Sequence, residues 1–211
     1  MLLLETNKVK YEKVLLQLLK GEHRKCEELK KINPDTTLPT MDDDGFALSE
    51  SAAIMTYLVD KYHLSDHWYP KDLQKRAKVD QYLHWHHSNL RRGGAVFYFK
   101  YIHPIFKGCE AEPALLSASE DTLKKALAKL NDYYLKDSKF IYGEEISVAD
   151  LQALCELTQS WMAEVKYEDD YPNLKRWVAD CQKELGETFE EVYQTVYQVR
   201  DSKALMGEKK A

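Results

Sequence analysis

Positive charge is in deficit here. Thirty lysines and arginines stand against 35 aspartates and glutamates, a formal net charge of −5, which argues against a nucleic-acid-binding surface. The pair Lys209-Lys210 is too short to change that. No apolar run approaches the roughly 20 residues of a membrane span. Met1-Leu2-Leu3-Leu4 is followed at once by Glu5, a poor signal peptide. Cysteine is sparse too: Cys26, Cys109, Cys155 and Cys181 are widely spread, with no Cys-x-x-Cys. That spacing suggests neither a zinc site nor a dithiol redox site, and a reduced, cytosolic setting is the simplest reading. There is no internal repeat and no low-complexity segment. What remains is ordinary: 211 residues, 44% hydrophobic and 31% charged, enough for one large domain or two small ones with a sizeable core.

The most informative stretch spans residues 38–51. Two short apolar runs, 38–41 and 46–48, flank Asp42-Asp43-Asp44-Gly45, and Asp-Gly is a strong hairpin signal. Beyond it, Ile54, Tyr57, Leu58 and Tyr62 recur at helical spacing. Ser49 is the expected N-cap, with Glu50 and Ser51 in the first turn. A helix start carries unpaired N–H groups and about half a positive charge, so this junction is suited to a carboxylate. Pro39 sits where a strand begins, a position that tolerates the missing donor and permits a cis bond.

In chain order, Met1 to Glu5 reads as the last turn of a helix that stops at Asn7. Over residues 10–19 alternation allows a strand and leucine density allows a helix; a strand over 11–16 is preferred because Lys20-Gly21 follows. Residues 22–31 read as a short charged helix ended by Asn33-Pro34. Loop character over 63–72 marks a domain boundary. Thereafter strand signals stop. A helix over 73–90 carries Val79, Tyr82, Leu83, His86 and Leu90 on one face, and Gly93-Gly94 kinks or ends it. The aromatic run 97–106 reads as core or as the wall of an apolar pocket. A second helix over 112–135 carries Leu123, Ala126, Leu127 and Leu130. Ser147-Val148-Ala149-Asp150 matches a capping box, with Ile146 stapled against Leu151. Helices over 173–185 and 187–200 follow, and the tail is frayed from Leu205.

Taken together, Asn33-Pro34 through Leu38-Pro39 to Leu48-Ser49-Glu50-Ser51-Ala52-Ala53-Ile54, the set Trp68-Tyr69-Pro70, Arg76-Ala77-Lys78-Val79-Asp80, Tyr82-Leu83 and Trp85, and Ile146-Ser147-Val148-Ala149-Asp150-Leu151 resemble cytosolic glutathione transferases, the theta class in particular. The resemblance implies an α+β two-domain fold: a truncated thioredoxin-like domain over 1–64, a linker over 65–71 and an all-α helical bundle over 72–211. It implies a cytoplasmic homodimer that conjugates the thiol of glutathione to small electrophiles, with glutathione as substrate, no metal, no membrane and no nucleic acid. By the same resemblance Pro39 is cis and presents Leu38 to the cysteinyl part of glutathione, as an added strand would. Ser51 holds the γ-glutamyl carboxylate, Glu50 meets the γ-glutamyl amine, His23 meets the glycyl end, and Arg91 and Arg92 lie near the electrophile.

The family's first strand, most of its first helix and the catalytic serine between them have no counterpart in this chain, so the catalytic residue is unassigned. Neither Ser49 nor Ser51 takes that role, since both belong to the binding block. A thiol titrating near 8.5 needs a hydrogen bond or a positive field to become a nucleophile; here only Arg91 and Arg92 offer one. Three outcomes follow: a transferase, a non-catalytic binding or dimerisation protein, or a poorly folded fragment. His84, His86 and His87 lack the Cys or carboxylate company of a metal site, Asp150 is structural, and Cys26 is expected to be the most exposed thiol.

Overall fold

The computed structural model describes residues 1–162, 165, 167 and 169–201. The expectation of a frayed tail from Leu205 falls outside them. The chain opens on α1 (Leu2–Thr6), which stops at Asn7 as its pattern predicts. The Asn7 amide donates to the Leu3 carbonyl at 2.7 Å, and Leu2 and Leu3 are buried.

No strand forms over 11–16; the chain there is extended and unpaired, and Val14 and Leu15 are 74% and 75% exposed. A strand needs a neighbour to take its N–H and C=O groups, and no other described segment pairs with this one in a sheet. The sheet therefore has two strands where three were expected. Short 3-10 turns at Leu18–Lys20 and Glu22–Arg24 follow. The expected charged helix shrinks to α2 (Glu27–Ile32), ending at Asn33.

β1 (Thr40–Asp43) and β2 (Phe46–Ser49) pair antiparallel from Asp43↔Phe46 to Thr40↔Ser49. Asp44 and Gly45 both take positive φ, 52° and 91°, the backbone of a tight turn whose twist matches the strands. α3 (Ser51–Lys61) follows directly. Ser49 is not its N-cap: it remains paired in β2, and Glu50 fills the cap position at φ 70° with no side-chain cap bond. Glu50 stands between Ser49 and the first helical residue, so Ser49 falls one position outside the cap.

The helical remainder consists of α4 (Leu73–Ser88), α5 (Leu90–Gly93), α6 (Ala95–Phe97), α7 (His103–Lys107), α8 (Pro113–Lys129), α9 (Val148–Met162), α10 (Pro172–Leu185) and α11 (Glu187–Asp201). Val79, Tyr82, Leu83, His86 and Leu90 are all buried, as the spacing predicts. A first break lies at Asn89 (φ −123°, ψ −79°), and a second follows at Gly94, where α5 ends and α6 begins. Gly93 and Gly94 also grant clearance. A Cβ on Gly93 would meet the Leu123 Cα at 2.6 Å, and one on Gly94 would meet Glu156 Oε1 at 2.0 Å.

The aromatic run is core only in part. Residues Tyr98–Ile102 wind as a π-helix. Phe97 and Tyr101 pack against the core, while Tyr98, Ile105 and Phe106 are exposed.

α9 is the central helix. Its start is closed by Asp150, which is fully buried and accepts from Ser147 N (2.9 Å), Ser147 Oγ (2.9 Å), Ile141 N (2.8 Å) and Trp177 Nε1 (2.8 Å). The start of α10 is capped from afar: Asn131 Oδ1 accepts from the N–H groups of Asn173 and Leu174. The motif around residue 69 is an interlock between the loop and α4. Arg76 lies over the Tyr69 ring and donates to the Pro70 carbonyl, and Tyr69 donates to Asp80.

Candidate functional site

The loop that precedes β1 is held by one buried side chain. The Asn33 amide donates to Thr37 O, Thr37 Oγ1 and Thr40 Oγ1 at 3.1, 3.0 and 2.9 Å, and its carbonyl accepts from Asp35 N. This fixes the approach to the Leu38-Pro39 peptide, which is cis. Four residues of hairpin on each side then bring the start of α3 back beside it. Leu38, Pro39, Glu50 and Ser51 line one wall of a cavity of about 630 Å³. The N–H groups of the first turn of α3 have no partner within the helix, so that wall favours negative charge.

The opposite wall comes from the helical part. Gln152, Cys155 and Glu156 of α9, His86 and His87 of α4, and Arg91 of α5 face the same space. Gln152 Nε2 reaches Ser51 Oγ at 3.4 Å, and Gln152 Oε1 is buried without a partner among the described residues. Leu3, Leu4, Ile54, Met55 and Leu151 supply apolar lining. The space suits a ligand with a polar, charged end and an apolar one.

Residues 1–60 match the family described as Glutathione S-transferase, N-terminal domain, and residues 93–184 match Glutathione S-transferase, C-terminal domain. Theta-1 glutathione S-transferase of Mus musculus is 36% identical over 197 residues, 92% of this chain and 82% of that one. The chain belongs to the glutathione S-transferase family. Among solved structures, human glutathione S-transferase T1-1 superposes with a TM-score of 0.87 at 34% identity, covering 95% of this chain and 84% of its own. Human theta-2, solved with glutathione, gives 0.90 at 32%, covering 97% and 85%. The fold is that of the family, a thioredoxin-like first domain and a helical second one.

Of the residues that the sequence assigns to this glutathione S-transferase's site, five gather at the cavity: Leu38, Pro39, Glu50, Ser51 and Arg91. Two do not. Arg92 is exposed and turned away from the wall that Arg91 joins, as adjacent helical residues must be. His23 lies in the turn Glu22–Arg24, off the cavity, with Nδ1 buried and unpaired. Cys26 is half-buried, whereas Cys109 and Cys155 are the exposed thiols. Cys26 stands at the start of α2, with its thiol 3.5 Å from Glu28 Oε2.

Gln152 and Glu156 went unread in the sequence. Their signal was faint: polar residues four apart, on the face of α9 that carries Leu151 and Cys155 into the cavity. Glu156 is nearly enclosed, and burial pushes its carboxyl up to about 7 against the pull of Arg91. Arg91 Nη1 stands 3.3 Å from Glu156 Oε1. His86 Nε2 is 3.8 Å from Glu156 Oε2, and its Nδ1 is 3.2 Å from the Tyr82 hydroxyl. Burial, then Arg91 and His87, lower the His86 imidazole to about 4. Burial thus favours the uncharged form of both groups. No group of three or more metal-ligating side chains occurs among the described residues, and no helix among them is long and apolar enough to cross a membrane.

Proposed function

We propose that this chain is a theta-like glutathione S-transferase, which joins the glutathione sulfur to small electrophiles and so serves detoxification. Supporting it are theta-class relatives across nearly the whole chain. The observation that carries the reading to these residues is the meeting, in one cavity, of the cis Leu38-Pro39 peptide with the start of α3. In this reading Leu38 N–H and C=O pair with the cysteinyl backbone, Ser51 and the α3 N-terminus take the γ-glutamyl carboxylate, and Glu50 takes the amine. Gln152 Oε1, buried and unpaired, is a second acceptor for that amine.

The transfer itself forms a carbon–sulfur bond from the thiolate as the bond from carbon to the leaving group breaks. The leaving group departs with the electron pair and the thiol proton passes to solvent. Arg91 lends a positive field at the cavity; the hydroxyl that activates sulfur is unassigned. The protein is read as a cytoplasmic homodimer, with residues 1–64 as the glutathione domain, 65–71 as linker and 72–211 as the helical domain. His23 stays the candidate for the glycyl end only if its turn moves on binding.

A second reading, a glutathione-binding protein without turnover, is favoured by the cavity's hydroxyls. Among the described lining residues only Thr37 and Ser51 carry a hydroxyl, and this reading assigns Ser51 to the carboxylate. Calorimetric titration with glutathione, followed by a conjugation assay with a benzylic halide, separates the two. Binding with turnover supports the enzyme, binding without turnover the second reading, and no binding overturns both.

A further inference from the structure

Residues 10–16 are extended, and among the described residues their backbone makes no hydrogen bond. The stretch is pinned at both ends. Val9 N–H donates to the Leu4 carbonyl at 2.9 Å, and Gln17 N–H donates to Glu22 Oε2 at 2.7 Å. Between those anchors Val14 is 74% and Leu15 75% exposed, and Leu18 stands half exposed just beyond them. A straight run of peptide groups with free N–H and C=O on its edges is a template for a further strand.

The charge around this stretch is opposite in sign to that of the chain. Lys8, Lys10, Lys13, Lys20, Arg24 and Lys25 stand against Glu12 and Glu22, within a chain of net charge −5. All six cations are exposed, and none forms an ion pair among the described residues. Glu22 is turned onto the Gln17 amide. A lipid surface satisfies the cations but not the backbone, since unpaired N–H and C=O groups cannot follow Val14 and Leu15 into hydrocarbon. A second copy sets this cationic stretch against its own kind, and like charges across a strand pair repel. A peptide with carboxylates beside the lysines and apolar side chains beside Val14 and Leu15 satisfies both edge and charge.

We propose that residues 10–16 are a docking edge for an acidic, extended peptide of a partner protein, which adds to them as a β-strand. Main-chain hydrogen bonds hold the peptide, Lys10 and Lys13 select its carboxylates, and Val14 and Leu15 select its apolar residues. None of these residues lines the cavity, and the assignment rests on no part of the transferase reading.

The test uses the full chain and two capped, fluorescent heptapeptides: three glutamates followed by four valines, and the reverse order, which cover parallel and antiparallel pairing. By fluorescence anisotropy at least one of them should bind. A fully N-methylated copy, with no N–H to donate, should not, nor should a copy with lysines in place of the glutamates. Lys13→Glu should weaken binding about fivefold, and added salt should weaken it too. Successive N–H groups point to opposite edges of a strand, so at least one of Val14→Pro and Leu15→Pro, made singly, should abolish binding. Neither removes an N–H that is bonded within the described fold, and circular dichroism checks that both remain folded. Hydrogen exchange over 11–16 should slow when the peptide is added. No binding by either order, binding that survives N-methylation or both proline variants, or equal binding of the lysine peptide would overturn the proposal. Partition onto phosphatidylserine vesicles without peptide binding assigns the edge to a membrane, and exchange that slows with chain concentration alone assigns it to a second copy; either overturns the proposal as well.

Discussion

Glu156→Gln should change how stability responds to pH, and the size of the change follows from two buried groups. Burial raises the Glu156 carboxyl from an ordinary 4.5 to about 7. The folded chain thus keeps a proton that the unfolded chain releases, and the stability this confers is full below pH 4.5 and lost as pH rises through 7. His86 works the other way. Its imidazole falls from 6.5 to about 4, so its contribution is full above pH 6.5 and lost as pH falls through 4. Between pH 4.5 and 6.5 the slopes cancel: the pair holds one proton in the folded and in the unfolded chain, whichever atom carries it. Removing the carboxyl leaves the imidazole slope exposed. At about 1.4 kcal/mol per pH unit, the stability of the variant minus that of wild type should climb by about 3 kcal/mol between pH 4.5 and 7.5. Urea denaturation of both proteins at four pH values across that range measures it, with other carboxylates cancelling in the difference. A difference that stays constant to within about 0.5 kcal/mol would refute the reasoning.

Asp150→Ala leaves four enclosed donors, from Ile141, Ser147 (two) and Trp177, without an acceptor; a loss of about 4 kcal/mol or more is expected in urea unfolding, and a loss below about 1 would contradict the assignment. Gly93→Ala should cost about 1–3 kcal/mol, because its Cβ strikes Leu123 backbone. Gly143→Ala, with nothing within 4 Å, should leave the thermal midpoint where it was. Ser51→Ala should weaken glutathione about tenfold by calorimetry, the loss of one hydrogen bond to a charged group, with little change in melting. Arg92→Ala should alter glutathione affinity by no more than about twofold, since Arg92 is exposed and outside the cavity; a larger effect would place it in the site after all.

What could be read in advance was set by local chemistry. Asp44-Gly45 supplies the positive φ its turn demands, and Ser147 with Asp150 supplies a cap within four residues. Both are legible because every partner is a sequence neighbour. The errors came where a distant group decides. Ser49 looks like a cap, yet it pairs with Thr40 in the ladder and Glu50 takes the cap position. Residues 11–16 alternate like a strand, but alternation does not provide a neighbour to pair with. The aromatic run looks uniform in sequence, yet Phe97 and Tyr101 pack on the core while Tyr98, Ile105 and Phe106 stay exposed. In the candidate site the same division holds. Leu38, Pro39, Glu50 and Ser51 lie within one hairpin of each other and were found together. Gln152 and Glu156 reach the cavity from 100 residues away in sequence, with nothing beside them in the chain to mark them.

Asp150 also bears on the order in which the molecule comes apart. Its four donors belong to the loop at Ile141, to the start of α9 and, through Trp177, to α10. Peeling α10 away alone would strip a donor from a carboxyl sealed off from water, and fraying the start of α9 would leave the Trp177 Nε1–H without its acceptor. Neither helix can open cheaply without the other. Native-state hydrogen exchange should accordingly find the amides of α9 and α10 protected to the same free energy, as one cooperative unit, while the chain over 11–16, which pairs in no sheet, exchanges freely beside them.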